Sequence, residues 1–505
     1  MYGDFSRVTF RPEKHYSAVL AQQGRVQLDA DANEQAAIWL HTARTTAADL
    51  VGPHGGPSGD AGFAVGHVPG NRGPDDLTIG AGRYYVDGIL LDATRPAPGL
   101  PAGSGRPGDG DGGGGSGDGG GGSGDGGSGD GPRHTGWTYW DQPDAHRDPE
   151  RPGDRLPGTF PYLVALTAWE RSVTAAEDPE IRESALGAAV ADTAARLKTV
   201  WQVRALTTGE LDLPDDADAQ AAEEAFAAWA RRYTTTSALL AARSERPDGA
   251  DEHPCPVDPD ARYRGPENQL YRVEVHRGGT VGDDDGGPTF KWSRENGSVV
   301  RPVARLDGTW AELLPAGGDG RLELEAGDWV EFADDVRTGR GEPAPLLQVE
   351  EVDLPGRRVR LSGEPGPGTG RRPEHHPFLR RWDQRAGRGR GSAGLRHGAV
   401  LLEEGVWTGL EDGVQVWFEP GGDYRPGDHW VIPARTATGA VEWPADAAGE
   451  PLLRPPAGTV RHCAPLAWVT GEGVAEDLRR VFAPLAAPLR RARGARSGRS
   501  GGSGR

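Results

Sequence analysis

From Gln269 to about residue 470, Gly, Pro and Asp cut the chain into short apolar segments, a spacing that fits strands joined by tight turns. Tyr271, Val273 and Val275 alternate with Arg272, Glu274 and His276, the pattern of a half-buried strand. Segments 321–332, 345–352 and 357–362 predict a small barrel or sandwich, and 399–403, 414–418, 429–433 and 466–470 predict a second β set. The strings GDWV (327–330) and GDHWV (427–431) open strands in the two sets after similar turns, a short echo consistent with two related modules. With 78 Gly and 42 Pro in 505 residues, the composition favours many turns over a helical protein.

Upstream the pattern is mixed. Apolar spacing predicts helix from Pro12 to Leu50, divided at Gly24, and Leu77–Asp92 reads as a hairpin. Segments 161–169 and 199–206 read as strands, with helical turns around Pro179–Leu186 and Ala189–Lys198. A longer helix is expected from Pro214 to about Arg243, its Phe226, Trp229 and Tyr233 forming a packing stripe. The fold class is therefore α+β: an N-terminal helical segment plus mostly antiparallel β modules of small barrel or sandwich type. The expected divisions are 1–102 (helices and hairpin), 103–135 (flexible Gly/Ser/Asp linker), 136–265 (α+β), 266–370 and 371–475 (β modules), and 476–505 (disordered basic tail).

A net charge of −19 argues against nucleic acid as a main partner, because phosphate backbones need a basic field. Arg far outnumbers Lys, a bias that reads as a GC-rich genome. The N-terminus lacks a signal-peptide pattern and no apolar run reaches ~18 residues, so cytoplasmic synthesis without a membrane span is expected, any release from the cell being by another route. Two cysteines, Cys255 and Cys463, make no disulfide framework.

Few residues group into recognisable chemistry. Asp29, Asp31 and Asn33 mimic the start of an EF-hand loop, but Glu34 and Leu40 occupy its required Gly and Glu positions. His253, Cys255, His462 and Cys463 lack structural-zinc spacing. The G-x-S-x-G at 498–502 lies in a Gly/Ser/Arg tail without the strand and helix that motif needs. Glu403 and Glu404 are adjacent in a strand and face opposite ways. No cofactor, metal or catalytic set is assigned. Two polar clusters remain as a possible interaction surface: Trp292, Arg294, Glu295 and Asn296, and His376, Arg380, Arg381, Trp382 and Asp383. The second could hold a surface glycan, with Trp382 stacking on a sugar, or dock one β module on another. Asn296-Gly297 is a type I′ turn signal.

The strings YGDFSRVTF (2–10), HYSAVLAQQGRVQLDADANEQ (15–35), ADLVGPHGGP (48–57), YYVDGILLD (84–92), FKWSRENGSVV (290–300), HPFLRRWDQ (376–384) and YRPGDHWVIPAR (424–435) carry a resemblance. The chain resembles an uncharacterised bacterial domain family whose genes occur beside phage-tail-like contractile injection systems, some members being labelled tail-fibre-like. That resemblance brings no catalytic residues. It implies a non-enzymatic structural or adaptor component whose partners are other particle proteins. An envelope- or glycan-binding module and a cell-wall hydrolase with an unrecognised site are the alternatives. Residues 1–50 are expected to dock into the assembly and to be removable without unfolding the β-rich remainder.

Overall fold

The computed structural model describes residues 1–70, 73–96, 136–186, 193–245, 262–282, 286–315, 323–353, 355–385 and 394–485. The expected linker, His253, Cys255 and the residues beyond 485 lie outside them. The described chain is α+β, dominated by antiparallel sheets.

Strand Tyr162–Val173 pairs along its whole length with Arg196–Thr207, from Tyr162 opposite Thr207 to Val173 opposite Arg196. On its other edge it pairs with Arg461–Gly471, which is followed by Val474–Asp477. Its apolar run is continuous because both faces are covered. Tyr162, Val164 and Leu166 pack on the N-terminal strands with Phe63, Leu77 and Tyr84. Leu163 and Ala165 pack on helix α2 (Ala219–Thr234) through Phe226 and Trp229.

A second, six-stranded sheet is centred on Gln269–Arg277, flanked by Thr289–Ser293 and His429–Arg435. Tyr271, Val273, Phe290, Trp292 and Ile432 form one face and pack against a three-stranded sheet bearing Leu240, Val416 and Phe418. The third unit is a closed six-stranded barrel running Val300–Asp307, Trp310–Leu313, Arg358–Leu361, Leu346–Asp353, Trp329–Ala333 and Phe378–Trp382. Val330, Phe332, Val349 and Leu379 fill its interior.

Several expectations change. The N-terminal helix is confined to Asp29–Val51 (here α1); residues 15–28 carry no regular structure, and Tyr16, Leu20 and Val26 are exposed there. The tight hairpin is Arg83–Val86 with Ile89–Asp92, turning at Asp87 and Gly88, both with positive φ. Asp76–Ile79 instead pairs with Val65–Val68. Helix α2 starts at Ala219, where the Asp218 side chain accepts from the Ala221 N–H, and ends at Thr234. Residues 240–244, expected helical, form a strand against Val414–Phe418. The turn expected at Ala189–Lys198 gives way to strand from Arg196, residues 187–192 being outside the description. Chain expected in the disordered tail is ordered to 485: Val481–Phe482 runs parallel to His54–Pro57. The strands opened by GDWV and GDHWV exist, but one lies in the barrel and the other in the six-stranded sheet.

Candidate functional site

The second face of the six-stranded sheet carries Arg272, Glu274, Lys291 and His429, and it is buried too. This corrects the half-buried reading of Gln269–Arg277: the polar alternates face the barrel and residue 2, not solvent. Lys291 Nζ lies 2.7 Å from Glu331 and 3.2 Å from Glu274. Arg272 Nη2 lies 2.6 Å from Glu274, and the Trp382 indole donates to Glu331 at 3.2 Å. The Tyr2 hydroxyl reaches Glu274, and its ring lies between the guanidinium carbons of Arg272 at 4.0 Å and Arg380 at 3.5 Å. Burial alone would raise the Glu274 pKa, but Arg272 and Lys291 outweigh it and hold the carboxyl well below its usual range. Burial, followed by Arg272, keeps His429 neutral.

Both polar clusters singled out in the sequence meet here. Arg294 pairs in bidentate fashion with Glu411 at 2.8 and 2.9 Å, and its backbone N–H donates to Asp383. Arg381 bridges Glu295 at 3.2 Å and Asp383 at 3.4 Å. Burial, reinforced by Asp383, pushes Glu295 up to about 7. Asn296 (φ 53°) and Gly297 (φ 64°) form the expected I′-like turn, closed by the Ser298 N–H donating to the Glu295 carbonyl. The Asn296 amide donates to the Met1 and Gly3 carbonyls. His376 stands apart, 2.8 Å from Asp335. Trp382 is 1% exposed and lies under Lys291 at 4.2 Å, so its ring presents no face to a sugar. Trp292 is likewise buried, in the apolar core.

Above this ion network lies a cavity of about 720 Å³ that sequence reading missed entirely. Tyr2, Glu274, Lys291 and Arg380 line one side. The long sheet contributes Arg171 and Arg204, and the short helix α3 (Asp335–Arg340) contributes Arg337 and Arg340. Arg425 and Arg461 line it as well, both beside Tyr233 of α2: Arg425 donates to the Tyr233 carbonyl, and Arg461 lies 5.8 Å from its ring. Burial, then Lys291, pushes His276 down to about 4, so it is neutral there. No single local string announces this lining: its arginines come from the stretch 147–155, the long sheet, helices α2 and α3 and the separate positions 380, 425 and 461.

Among the described residues no group of three or more His, Cys, Asp or Glu is arranged to hold a metal ion. His462 pairs with Asp87 at 2.8 Å, and burial, then Asp87, pushes the Cys463 thiol up to about 12. Glu404 accepts from the Gly421 and Gly422 N–H groups and from Tyr424, a turn-holding role. Asp29 accepts from the Ser6 N–H at the start of α1. No described helix is long and apolar enough to cross a membrane.

A third feature is open surface. Leu20, Val26, Trp39 and Leu50 of the N-terminal arm and α1 are between 67% and 84% exposed. Only Ala30 and Ile38 of α1 are buried.

No curated protein and no solved structure matches the chain. A family model does, over residues 1–124 and 215–499. That span includes the ion network, the barrel, and the cavity arginines 337, 340, 380, 425 and 461. The chain belongs to this family, a family of unknown function (DUF6519).

Proposed function

We propose that the protein is a non-enzymatic structural or adaptor component of a phage-tail-like contractile particle, docking on another particle protein through its N-terminal arm and α1. The observation that carries this reading is the exposed row Leu20, Val26, Trp39 and Leu50. Burying a large apolar side chain contributes roughly 1.5–3 kcal/mol, so an exposed series suits a permanent partner with an apolar groove. The occupied state of the ionisable groups supports a structural role. Glu274 faces Tyr2, Arg272 and Lys291, and Glu331 faces Lys291 and Trp382, leaving little free capacity for proton transfer.

The test is sedimentation of particles from the source organism with mass spectrometry of the fractions. The chain is expected alongside sheath and tube proteins. A Trp39→Ser, Leu50→Ser variant should stay in the supernatant while keeping the wild-type melting temperature. A wild-type chain absent from the particle fraction ends this reading.

A further inference from the structure

We infer that the arginine-lined cavity is a binding site for a compact anion bearing several phosphoryl groups. Its wall carries eleven Arg and Lys291 against Asp154, Glu274, Glu331 and Glu342, an excess of eight positive charges that falls to six once the Arg171–Glu177 and Arg232–Asp212 pairs behind the wall are counted, in a protein whose net charge is −19. Arginines of this chain are widely paired with carboxylates, and on this wall Arg147, Arg151, Arg171, Arg232 and Arg340 each have such a pair. Among the exceptions are Arg204, Arg380, Arg425 and Arg461, which have no carboxylate ion pair among the described residues.

Arg380 is the sharpest case. It is 5% exposed, lines the cavity, and its Nε has no protein hydrogen-bond partner among the described residues. Its guanidinium lies over the rings of Tyr2 at 3.5 Å and Phe378 at 5.3 Å. The Nε donors of Arg147, Arg171 and Arg340 line the same cavity, buried and without a hydrogen-bond partner among the described residues. A buried donor without an acceptor is costly, and several around one cavity imply a ligand rich in acceptor oxygens. Arg204 and Arg461 lie 5.7 and 5.8 Å from the Tyr233 ring, with Arg425 fixed beside it.

Planar guanidinium forks match phosphoryl oxygens in bidentate geometry. One phosphoryl group carries at most about two charges, so an excess of this size calls for several on one molecule. The volume is that of a small-molecule pocket, and the net charge of −19 opposes a long nucleic acid. A linear inorganic polyphosphate and a phosphorylated organic ring share this chemistry.

The experiment is calorimetric titration of the full chain at about 0.15 M salt with inorganic tripolyphosphate, inositol hexakisphosphate and citrate. Saturable binding of at least one phosphorylated probe is expected with Kd below about 100 μM, and much weaker binding of citrate. Whichever phosphorylated probe binds tighter assigns the inorganic or the organic source. Arg204→Gln, Arg461→Gln together should weaken binding at least about tenfold, whereas Arg305→Gln on the exposed barrel surface should not. Should the double variant fail to fold, Arg204→Gln alone, at a half-buried position, is compared and should weaken binding about threefold or more. The inference is overturned if neither phosphorylated probe saturates below about 1 mM, if citrate binds equally well, or if the folded arginine variants bind like wild type.

Discussion

The Tyr2 hydroxyl lies 2.8 Å from both carboxylate oxygens of Glu274, linking two residues 272 positions apart. The same ring separates two guanidinium groups, so residue 2 is part of the ion network and not a detachable arm. Deleting residues 1–50 would uncover Arg272, Glu274 and Arg380, contrary to the expectation that the remainder stays intact. Tyr2→Phe should cost about 2 kcal/mol through the lost charge-assisted hydrogen bond, and Tyr2→Ala more. Urea unfolding of the purified chain measures both; a loss below about 0.5 kcal/mol for Tyr2→Ala would remove residue 2 from the network.

Lys291 is the only cation within ion-pair distance of Glu331 among the described residues, and it also pairs with Glu274. Lys291→Met should therefore destabilise by about 3–5 kcal/mol, since it strands the buried Glu331 carboxylate. Adding Glu331→Gln should recover part of that loss. Strict additivity of the two in a double-mutant cycle would mean that the pair is not coupled.

Gly297 sits at φ 64°, and a Cβ there would lie 2.8 Å from the Tyr2 ring. Gly297→Ala is expected to cost more than about 1 kcal/mol, from backbone strain and overlap together. In a Tyr2→Ala background the overlap disappears and only the strain remains, so the cost should shrink. An unchanged cost would show that the ring is not the obstacle.

Glu295, pushed up to about 7 from 4.5 by burial and then Asp383, gives a pH signature. Its folded pKa exceeds the unfolded one, so its protonated form favours the fold. That contribution is full below pH 4.5 and lost as pH rises through about 7, amounting to no more than about 3 kcal/mol. Glu411, also raised to about 7 by burial, adds a slope of the same sign. Glu295→Gln should flatten the decline in melting temperature across this range without abolishing it. Parallel declines in variant and wild type would contradict the assignment.

The polar clusters at 292–296 and 380–383 stood out in the sequence because charges interleave with tryptophan, and the barrel and sheet bring them together. Tyr2 gave no such signal, since nothing in YGDF distinguishes a buried phenol from an exposed one. One clue was available: Lys291 is one of very few lysines in an arginine-rich chain, at a place where a compact ammonium fits between two carboxylates. The cavity arginines were hidden by that same abundance of arginine.

Period-two alternation and Gly/Pro punctuation determined, from sequence alone, that this chain is α+β with most of its strands after residue 269. They also located the Asn296-Gly297 turn, because turn chemistry is local. Tertiary structure decided which strands are neighbours, placing 461–471 beside 162–173 and 240–244 beside 414–418. It also decided that the polar face of Gln269–Arg277 is buried. Alternation reports two faces but not what covers each, and here the cover comes from residue 2 and from the barrel, both remote along the chain.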